Sequence, residues 1–228
     1  MTSSPTPAPA SASGSRERIL ARIRAAVAGA PEAPEPDRGY LRQHAPDDPA
    51  TLADLLHENL ADYRAVVHRT APGGLPELVA RLLAAHGARS VAVPPGLDDQ
   101  WLSATPDAVE RRPDDGSLTA RRLDATDAVL TGCAVAVAET GTLVLDAGPG
   151  QGRRALTLVP DLHLCVVRVP DQVVASVPLA LPRLDPARPL TWISGPSATS
   201  DIELDRVEGV HGPRRLEVIL LEEDPAVS

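Results

Sequence analysis

Five near-continuous apolar runs limit the fold of this chain more than any other feature. They occupy residues 134–138, 142–145, 162–169, 190–193 and 216–221. Uninterrupted runs rich in β-branched residues, with helical patterns between some of the strands, are typical of a sheet covered on both faces. The three residues from Glu139 to Gly141 separate the first two runs and predict an antiparallel hairpin. We therefore predict an α/β domain with a mixed sheet in three layers.

The preceding part of the chain contains separate helix and strand patterns. Residues 1–14 are rich in proline and serine, which predicts a disordered tail. Residues 15–49 are expected to form a helix over 16–28, with an apolar stripe and Ser15 as its cap, and then a proline-rich linker. One α/β domain is expected over 50–228. Its first elements are predicted as a helix after Thr51, a strand at 65–68, a helix at 76–86 and a strand at 90–93.

Composition removes several classes of function. The chain has 228 residues and no lysine, because all 22 basic residues are arginine. This excludes a lysine Schiff base, a pyridoxal-phosphate anchor and a P-loop lysine. The net charge of −9 and the presence of only four aromatic residues argue against a nucleic-acid partner.

The two cysteines, Cys133 and Cys165, are too few for a disulfide-rich fold, a four-cysteine cluster or a structural zinc site. The metal-binding patterns H-x-x-x-H, H-E-x-x-H and C-x-x-C do not occur, so no metal site is predicted. The apolar run over 128–138 is too short to cross a bilayer, and the first residues lack a secretory pattern. We expect a cytoplasmic protein without a membrane span.

A glycine-rich loop at 148–154 is the first candidate site. Its three glycines follow a strand and can present backbone N–H groups to an anion, while Arg153 and Arg154 could pair with a carboxylate or a phosphate. The G-x-G-x-G spacing differs from the dinucleotide fingerprint. The alternative interpretation is a glycine-rich turn with two solvated arginines.

The segment 192–203 is the second candidate. A strand is expected to end at Gly195 and a short helix to begin near Ser200, so an anion could bind between them at the ends of the strands. Alternatively, Ser200 and Glu203 form a capping box that only starts the helix. The candidate anion ligands are Gly195, Ser197, Thr199 and Asp201.

Glu139 and His211 are the candidate catalytic residues. Glu139 lies between two apolar strands, where a carboxylate is either at a solvent-facing turn or in a cleft as a base or nucleophile. His211 is flanked by Gly212-Pro213 and could move a proton or merely belong to a turn. His163 occupies an apolar run and is interpreted as a strand or core residue.

Three stretches together resemble a known family. Residues 131–167 read TGCAVAVAETGTLVLDAGPGQGRRALTLVPDLHLCVV, residues 193–222 combine G-P-S-x-T-x-D-I-E with G-V-H-G-P, and residues 16–27 read RERILARIRAAV. These motifs closely resemble the lactate utilisation protein C (LutC/YkgG) family, whose module is the LUD domain. The dense matching covers about residues 125–222.

The resemblance implies a fold like that of the sugar-phosphate isomerase and CoA-transferase superfamily. It also implies a role in oxidising L-lactate to pyruvate beside two partner proteins that carry iron–sulfur clusters. With too few cysteines for a cluster, this chain is expected to hold no redox cofactor itself. We expect it to bind a small carboxylate, lactate or pyruvate, or to assemble the complex.

Two other functions remain open. Glu-x-Gly after an apolar strand resembles the catalytic glutamate segment of CoA-transferases, in which case Glu139 would be the nucleophile of an acyl-CoA-handling enzyme. Alternatively, the chain is a non-catalytic assembly subunit whose N-terminal apolar stripe docks a partner. The residues of that stripe are Ile19, Leu20, Ile23 and Val27.

Overall fold

The α/β architecture and the presence of a mixed sheet are confirmed, and the described strands form three sheets of six, four and two strands. The computed structural model describes residues 13–30, 35–196, 198–199, 207–208 and 212–222. The helices are α1 (Ser13–Val27), α2 (Pro49–Asp62), α3 (Leu75–Ala85), α4 (Ala120–Asp124) and α5 (Val177–Ala180). The strands are β1 (Val66–Thr70), β2 (Ser90–Val93), β3 (Glu110–Pro113), β4 (Ala128–Gly132), β5 (Val135–Val137), β6 (Thr142–Leu145), β7 (Leu162–Val169), β8 (Val173–Val174), β9 (Thr191–Ile193), β10 (Ala198–Thr199), β11 (Val207–Glu208) and β12 (Arg215–Glu222).

The larger sheet has six strands in the order β1-β12-β7-β4-β2-β3, and every neighbouring pair is parallel. Its two eight-residue strands, β7 and β12, pair along their whole length from Leu162 opposite Arg215 to Val169 opposite Glu222. They contain two of the five apolar runs, those at 162–169 and 216–221. They lie side by side in the interior of the sheet, as expected for strands covered on both faces.

The smaller sheet has the order β8-β5-β6-β9 and is mixed, because β5 pairs antiparallel with β6 and parallel with β8. The predicted hairpin at Glu139 is thereby confirmed. Its turn is a short 3₁₀ helix over Ala138–Thr140, closed by Gly141 with a φ of 55°. A β-carbon at Gly141 would come within 2.7 Å of the backbone of Asn59, so this turn packs directly against α2.

Side chains alternate between the two faces of each strand, so the six-stranded and four-stranded sheets each contribute to more than one hydrophobic core. On β7, Leu164 and Val166 face α3, whereas Cys165 and Val167 face α2 and the smaller sheet. On β5, Ala136 faces the larger sheet, while Val135 and Val137 pack against the segment around α5. The layers are therefore α3, the six-stranded sheet, the four-stranded sheet and α5.

Two units divide the chain, Met1–Tyr40 and Leu41–Ser228. In the first, α1 confirms the expected helix, although it begins at Ser13 rather than Arg16. Its apolar residues Ile19, Ile23 and Val27 are 59%, 53% and 60% exposed. In the described part of the chain, no helix combines the length and apolar character needed to cross a membrane.

Two elements differ from the sequence prediction. Strand β3, with the sequence Glu-Arg-Arg-Pro, was not predicted because it is charged, ends in proline and lies at the edge of the sheet, where one side needs no hydrogen-bond partner. Helix α2 begins at Pro49 instead of after Thr51. The Asp48 side chain caps it by accepting from the backbone N–H of Thr51 at 2.8 Å. The helix predicted near Ser200 lies outside the described residues.

Candidate functional site

A cavity of about 450 Å³ lies at the amino ends of β7 and β12, next to β9. We call it the amino-edge cavity. His163 and Leu216, the second residues of β7 and β12, form part of its wall. Its polar lining comes from Arg154, Thr157, His163, Thr191 and Ser194, together with the backbone at Gly195. The volume is within the usual range of about 300–1,000 Å³ for small-molecule sites.

The ionisable side chains in the described lining of this cavity favour binding of an anionic ligand. Arg154 and His163 are the ionisable residues among the described residues of its lining, and none of those described residues is a carboxylate. Arg154 begins the 3₁₀ turn Arg154–Thr157 and is exposed. Leu190, Trp192 and Ile193 supply apolar wall. An arginine beside apolar wall can bind a carboxylate more strongly than one in open solvent, because water screens the pair less.

His163 contributes to the cavity wall from inside the strand. Its side chain is 1% exposed, and its Nε2 atom lies 2.7 Å from Oγ1 of the fully buried Thr131 on β4. The interpretation as a buried strand residue is correct, but sequence reasoning missed its contact with the cavity. The sequence carried no signal for this contact, because a buried strand residue has the same apolar neighbours whether or not it reaches a cavity.

The backbone conformation at Gly195 requires glycine. Its φ is 77°, and a β-carbon there would lie 2.4 Å from the carbonyl oxygen of Tyr63, just after α2. Gly195 lies shortly after β9 and lines the cavity. Its backbone approaches Tyr63 so closely that any side chain at this position would clash. Ser197, Asp201 and His211 lie outside the described residues. For Thr199 the structure describes only its backbone place in β10, which pairs with β11.

Arg153 lies apart from its neighbour Arg154. Its Nε and Nη2 atoms donate to the two carboxylate oxygens of Asp114 at 2.9 and 3.1 Å, and Nη2 also donates to the carbonyl of Leu118. The Asp114 side chain is 4% exposed, and that of Arg153 is 43% exposed. This bidentate pair lines a separate cavity of about 490 Å³ at the carboxyl ends of β2 and β3.

The glycine-rich loop also lies at that carboxyl edge, and several of its amides have partners within the protein. The N–H of Gly150 donates to the carbonyl of Pro95 at 2.8 Å, and the carbonyl of Gly150 accepts from the N–H of Gly132 at 2.8 Å. A β-carbon at Gly152 would lie 2.4 Å from Leu156. The loop therefore uses its glycines to pack closely against neighbouring segments.

Glu139 lies in a third place, a groove between α2 and residues 44–46. Its Oε1 atom accepts from the backbone N–H groups of His44 at 2.5 Å and Ala45 at 2.9 Å. Its own N–H donates to the carbonyl of Ala175 at 2.9 Å. The structure thus places Glu139, Arg153 and Arg154 at three different cavities, and of the described candidates it brings together Arg154 and Gly195.

No described group of three or more histidine, cysteine, aspartate or glutamate side chains is arranged to hold a metal ion. The described polar side chains that line the amino-edge cavity are one guanidinium, one buried imidazole and several hydroxyls.

An α/β protein with an all-parallel six-stranded sheet beside a mixed four-stranded sheet is the class that these observations define. The chain belongs to the LUD domain family, whose family model matches residues 54–221. It is similar to a lactate utilization protein C from Deinococcus radiodurans, with 45% identity over 211 residues that cover 89% of this chain and 93% of that protein. A lactate utilization protein C from an Exiguobacterium species is 29% identical over 91% of this chain and 96% of its own length.

A solved structure supports the same assignment. The crystal structure of a DUF162 family protein from Deinococcus radiodurans matches with a TM-score of 0.64 and 40% sequence identity. The match covers 77% of this chain and 99% of that protein. Both the fold and the family are therefore shared with a protein whose structure was determined by experiment.

Proposed function

We propose that this chain is the carboxylate-binding subunit of a lactate-utilisation system that oxidises L-lactate to pyruvate. Arg154 in the amino-edge cavity is the observation that carries the proposal, because it presents a positive charge beside apolar wall with no described carboxylate in the lining. The names of the similar proteins support the substrate. Lactate and pyruvate both carry the carboxylate that a guanidinium binds with two parallel hydrogen bonds.

Each polar group of the cavity has a role in this proposal. Arg154 holds the carboxylate. The hydroxyls of Thr191 and Ser194 are available to the hydroxyl oxygen of lactate or the keto oxygen of pyruvate. The Oγ atom of Ser194 lies 2.8 Å from Oγ1 of Thr142, and this hydrogen bond fixes the position of the Ser194 side chain. The apolar wall around Trp192 lies beside these polar groups and can contact the carbon atoms of the bound acid.

The electrons leave through partner proteins. Oxidation of the alcohol carbon removes two electrons and two protons, so an acceptor is required. Two cysteines are too few for a four-cysteine iron–sulfur cluster, and the sequence has no dinucleotide fingerprint. We therefore assign the acceptor to iron–sulfur partner proteins. His211 remains the predicted acceptor of the hydroxyl proton.

Reconstitution tests this proposal. Lactate-dependent dye reduction is measured for this chain alone, for the iron–sulfur partners alone and for the mixture. We expect activity in the mixture and a raised KM for lactate when Arg154→Gln replaces the wild-type chain. Arg81→Gln, on the exposed face of α3, is the matched control and should leave the KM unchanged. Equal activity of the partners with and without this chain would overturn the proposal.

The acyl-CoA-handling alternative makes a different prediction. It requires a free Glu139 carboxylate, whereas Oε1 of Glu139 accepts hydrogen bonds from two backbone amides. If the alternative holds, hydroxylamine trapping in the presence of an acyl-CoA will modify Glu139. An unmodified Glu139 beside active lactate oxidation would favour the carboxylate-binding subunit.

A further inference from the structure

Helix α1 has an apolar stripe that the single chain leaves in contact with solvent. Ile19, Ile23 and Val27 recur every four residues along one side of the helix, and all three are more than half exposed. A lone helix of 15 residues is only marginally stable in water, so a surface that covers this stripe would stabilise α1. The stripe is therefore a candidate docking surface.

The charges of α1 determine what kind of surface can cover the stripe. The helix carries four arginines and a single acidic residue, Glu17. Arg18 and Arg22 directly precede Ile19 and Ile23, so the two guanidinium groups lie four residues apart along one flank of the stripe. Among the described contacts, neither arginine has a carboxylate partner. Two copies of α1 would repel each other, so the complementary surface is acidic.

The chain itself carries a groove with the complementary pattern. This is the groove that contains Glu139, which we call the α2 groove, and its volume is about 800 Å³. Asp54 and Glu58 line it four residues apart on α2, and Leu55 lies beside them as an apolar residue. Residues 45–46 add further apolar wall. The spacing of the two carboxylates equals the spacing of the two arginines on the flank of the α1 stripe.

Glu58 is the carboxylate of the α2 groove that can accept an incoming arginine. Asp54 already accepts from Nη2 of Arg69 at 2.6 Å, and Oε1 of Glu139 accepts from the backbone N–H groups at 44–45. Glu58 is exposed, and its side chain has no hydrogen bond or ion pair among the described residues. The other two acids thus stabilise the walls of the groove, and the negative charge of Glu58 stays available.

We propose that α1 of one copy docks into the α2 groove of a second copy, so that two chains exchange their N-terminal helices and form a symmetric dimer. Arg22 pairs with Glu58 of the other copy, and the apolar stripe covers Leu55. Two-fold symmetry repeats both contacts, because each chain supplies one helix and one groove. Docking of an amphipathic helix through residues at four-residue spacing is a common mode of recognition.

The dimer interface is independent of the proposed function. The residues proposed to hold the carboxylate line the amino-edge cavity, and none of them lines the α2 groove. Lactate oxidation and self-association can therefore fail separately in experiments. A chain that dimerises but gives no lactate-dependent dye reduction would contradict the proposed function alone.

Sedimentation equilibrium of the full chain over a range of concentrations is the primary experiment. We expect a dimer whose dissociation constant rises with added salt, because salt screens the paired charges. Arg22→Glu and Glu58→Arg each bring like charges together at both contacts of the dimer. Each variant should raise the dissociation constant about 100-fold or more.

An equimolar mixture of the two variants provides the sharper test. The mixed dimer sets the introduced acid of one chain opposite the introduced base of the other and keeps one wild-type contact between Arg22 and Glu58. We therefore expect the mixture to dimerise about as tightly as the wild type, although each variant alone is monomeric. Arg81→Glu and Glu77→Arg, on the exposed face of α3, are the matched controls and should dimerise like the wild type.

Three results would overturn the proposal. They are a wild-type chain that stays monomeric at every concentration, a dimer that neither charge reversal weakens, and a mixture that associates no more tightly than its components. Binding of a monomeric wild type to vesicles of anionic lipid would also overturn it, because the stripe of α1 would then cover itself with lipid. The salt dependence of the wild type uses no substitution, so it remains decisive if a variant folds poorly.

Discussion

Arg153 and Arg154 are adjacent in the sequence, yet they lie at opposite edges of the six-stranded sheet and in opposite electrostatic settings. Arg153 is held by the buried Asp114 at the carboxyl edge, where the glycine-rich loop bonds to its own protein. Arg154 lies at the amino edge, in a cavity whose described lining contains no carboxylate. Arg153 is therefore neutralised by a partner within the protein, whereas Arg154 is available to a ligand.

This difference shows that an arginine after a glycine-rich loop does not define an anion site by itself. Anion binding depends on how much of the arginine's positive charge is not already neutralised by carboxylates of the protein itself. At Arg153 the buried carboxylate of Asp114 cancels the charge, so a substrate anion gains little there. At Arg154 the charge remains available. The following four predictions test this contrast between the two edges.

The largest effect is expected at the carboxyl edge. Asp114→Ala removes the buried partner of Arg153 and should lower the free energy of unfolding by about 2–3 kcal/mol, somewhat less than for a fully buried pair because Arg153 can reach solvent. Urea denaturation measures this loss. Pyruvate binding by the folded variant should stay unchanged, and a binding defect would show that the two edges are coupled.

Thr131→Val, which changes the partner of the cavity-wall residue His163, should have the next largest effect. It removes the partner of the buried His163 Nε2 atom and should cost about 1–3 kcal/mol, the usual penalty for an unsatisfied buried polar group. Thr131→Ser keeps the hydroxyl and is the matched control, so chemical denaturation should show a clearly smaller loss. Equal losses of unfolding free energy in Thr131→Val and Thr131→Ser would mean that packing, not the hydrogen bond to His163, accounts for the effect of the substitution.

The Arg154 variants should affect binding far more than stability. Arg154→Gln should weaken pyruvate binding about tenfold, as expected for the loss of one charge-assisted contact. The free energy of unfolding should change by less than about 0.5 kcal/mol, because the side chain is exposed. Arg154→Lys keeps the positive charge but lacks the planar guanidinium, so its affinity for pyruvate should lie between those of the wild type and Arg154→Gln. A lysine variant weaker than the glutamine variant would contradict a role for the charge.

Asp127→Asn should have the smallest effect, with a distinct pH dependence. Burial opposes ionisation of Asp127, but hydrogen bonds from the Arg89 amide and from Ser90 outweigh it and lower its pKa. The carboxylate therefore stabilises the fold above pH 4, and this contribution is lost as the pH falls through the lowered pKa. Asp127→Asn should cost about 1 kcal/mol at pH 7. A pH series of urea melts should show the two proteins converging below about pH 4.

The strong patterns of the sequence predicted most of the fold. The runs at 90–93 and 162–169 coincide with β2 and β7, and the hairpin around Glu139 was evident from its apolar flanks. The charged edge strand β3 had no such pattern. The division into separate sheets also had no local signal, because strand pairing depends on contacts between residues far apart in the sequence.

The candidate site was less predictable. Arg154 and Gly195 were both chosen from local motifs, and the fold brings them to one cavity. Asp114 could not be foreseen as the partner of Arg153, since 39 residues separate them. His163 looked like an ordinary core residue because burial and exposure to a cavity give the same apolar sequence context.

Calorimetric titration of pyruvate into the wild-type chain, Arg153→Gln and Arg154→Gln tests the central claim most directly. The two variants remove the same charge from adjacent residues. We predict saturable binding to the wild type, similar affinity for Arg153→Gln despite its lower stability, and about tenfold weaker binding for Arg154→Gln. Weaker binding by Arg153→Gln than by Arg154→Gln would contradict the assignment of the ligand to the amino edge.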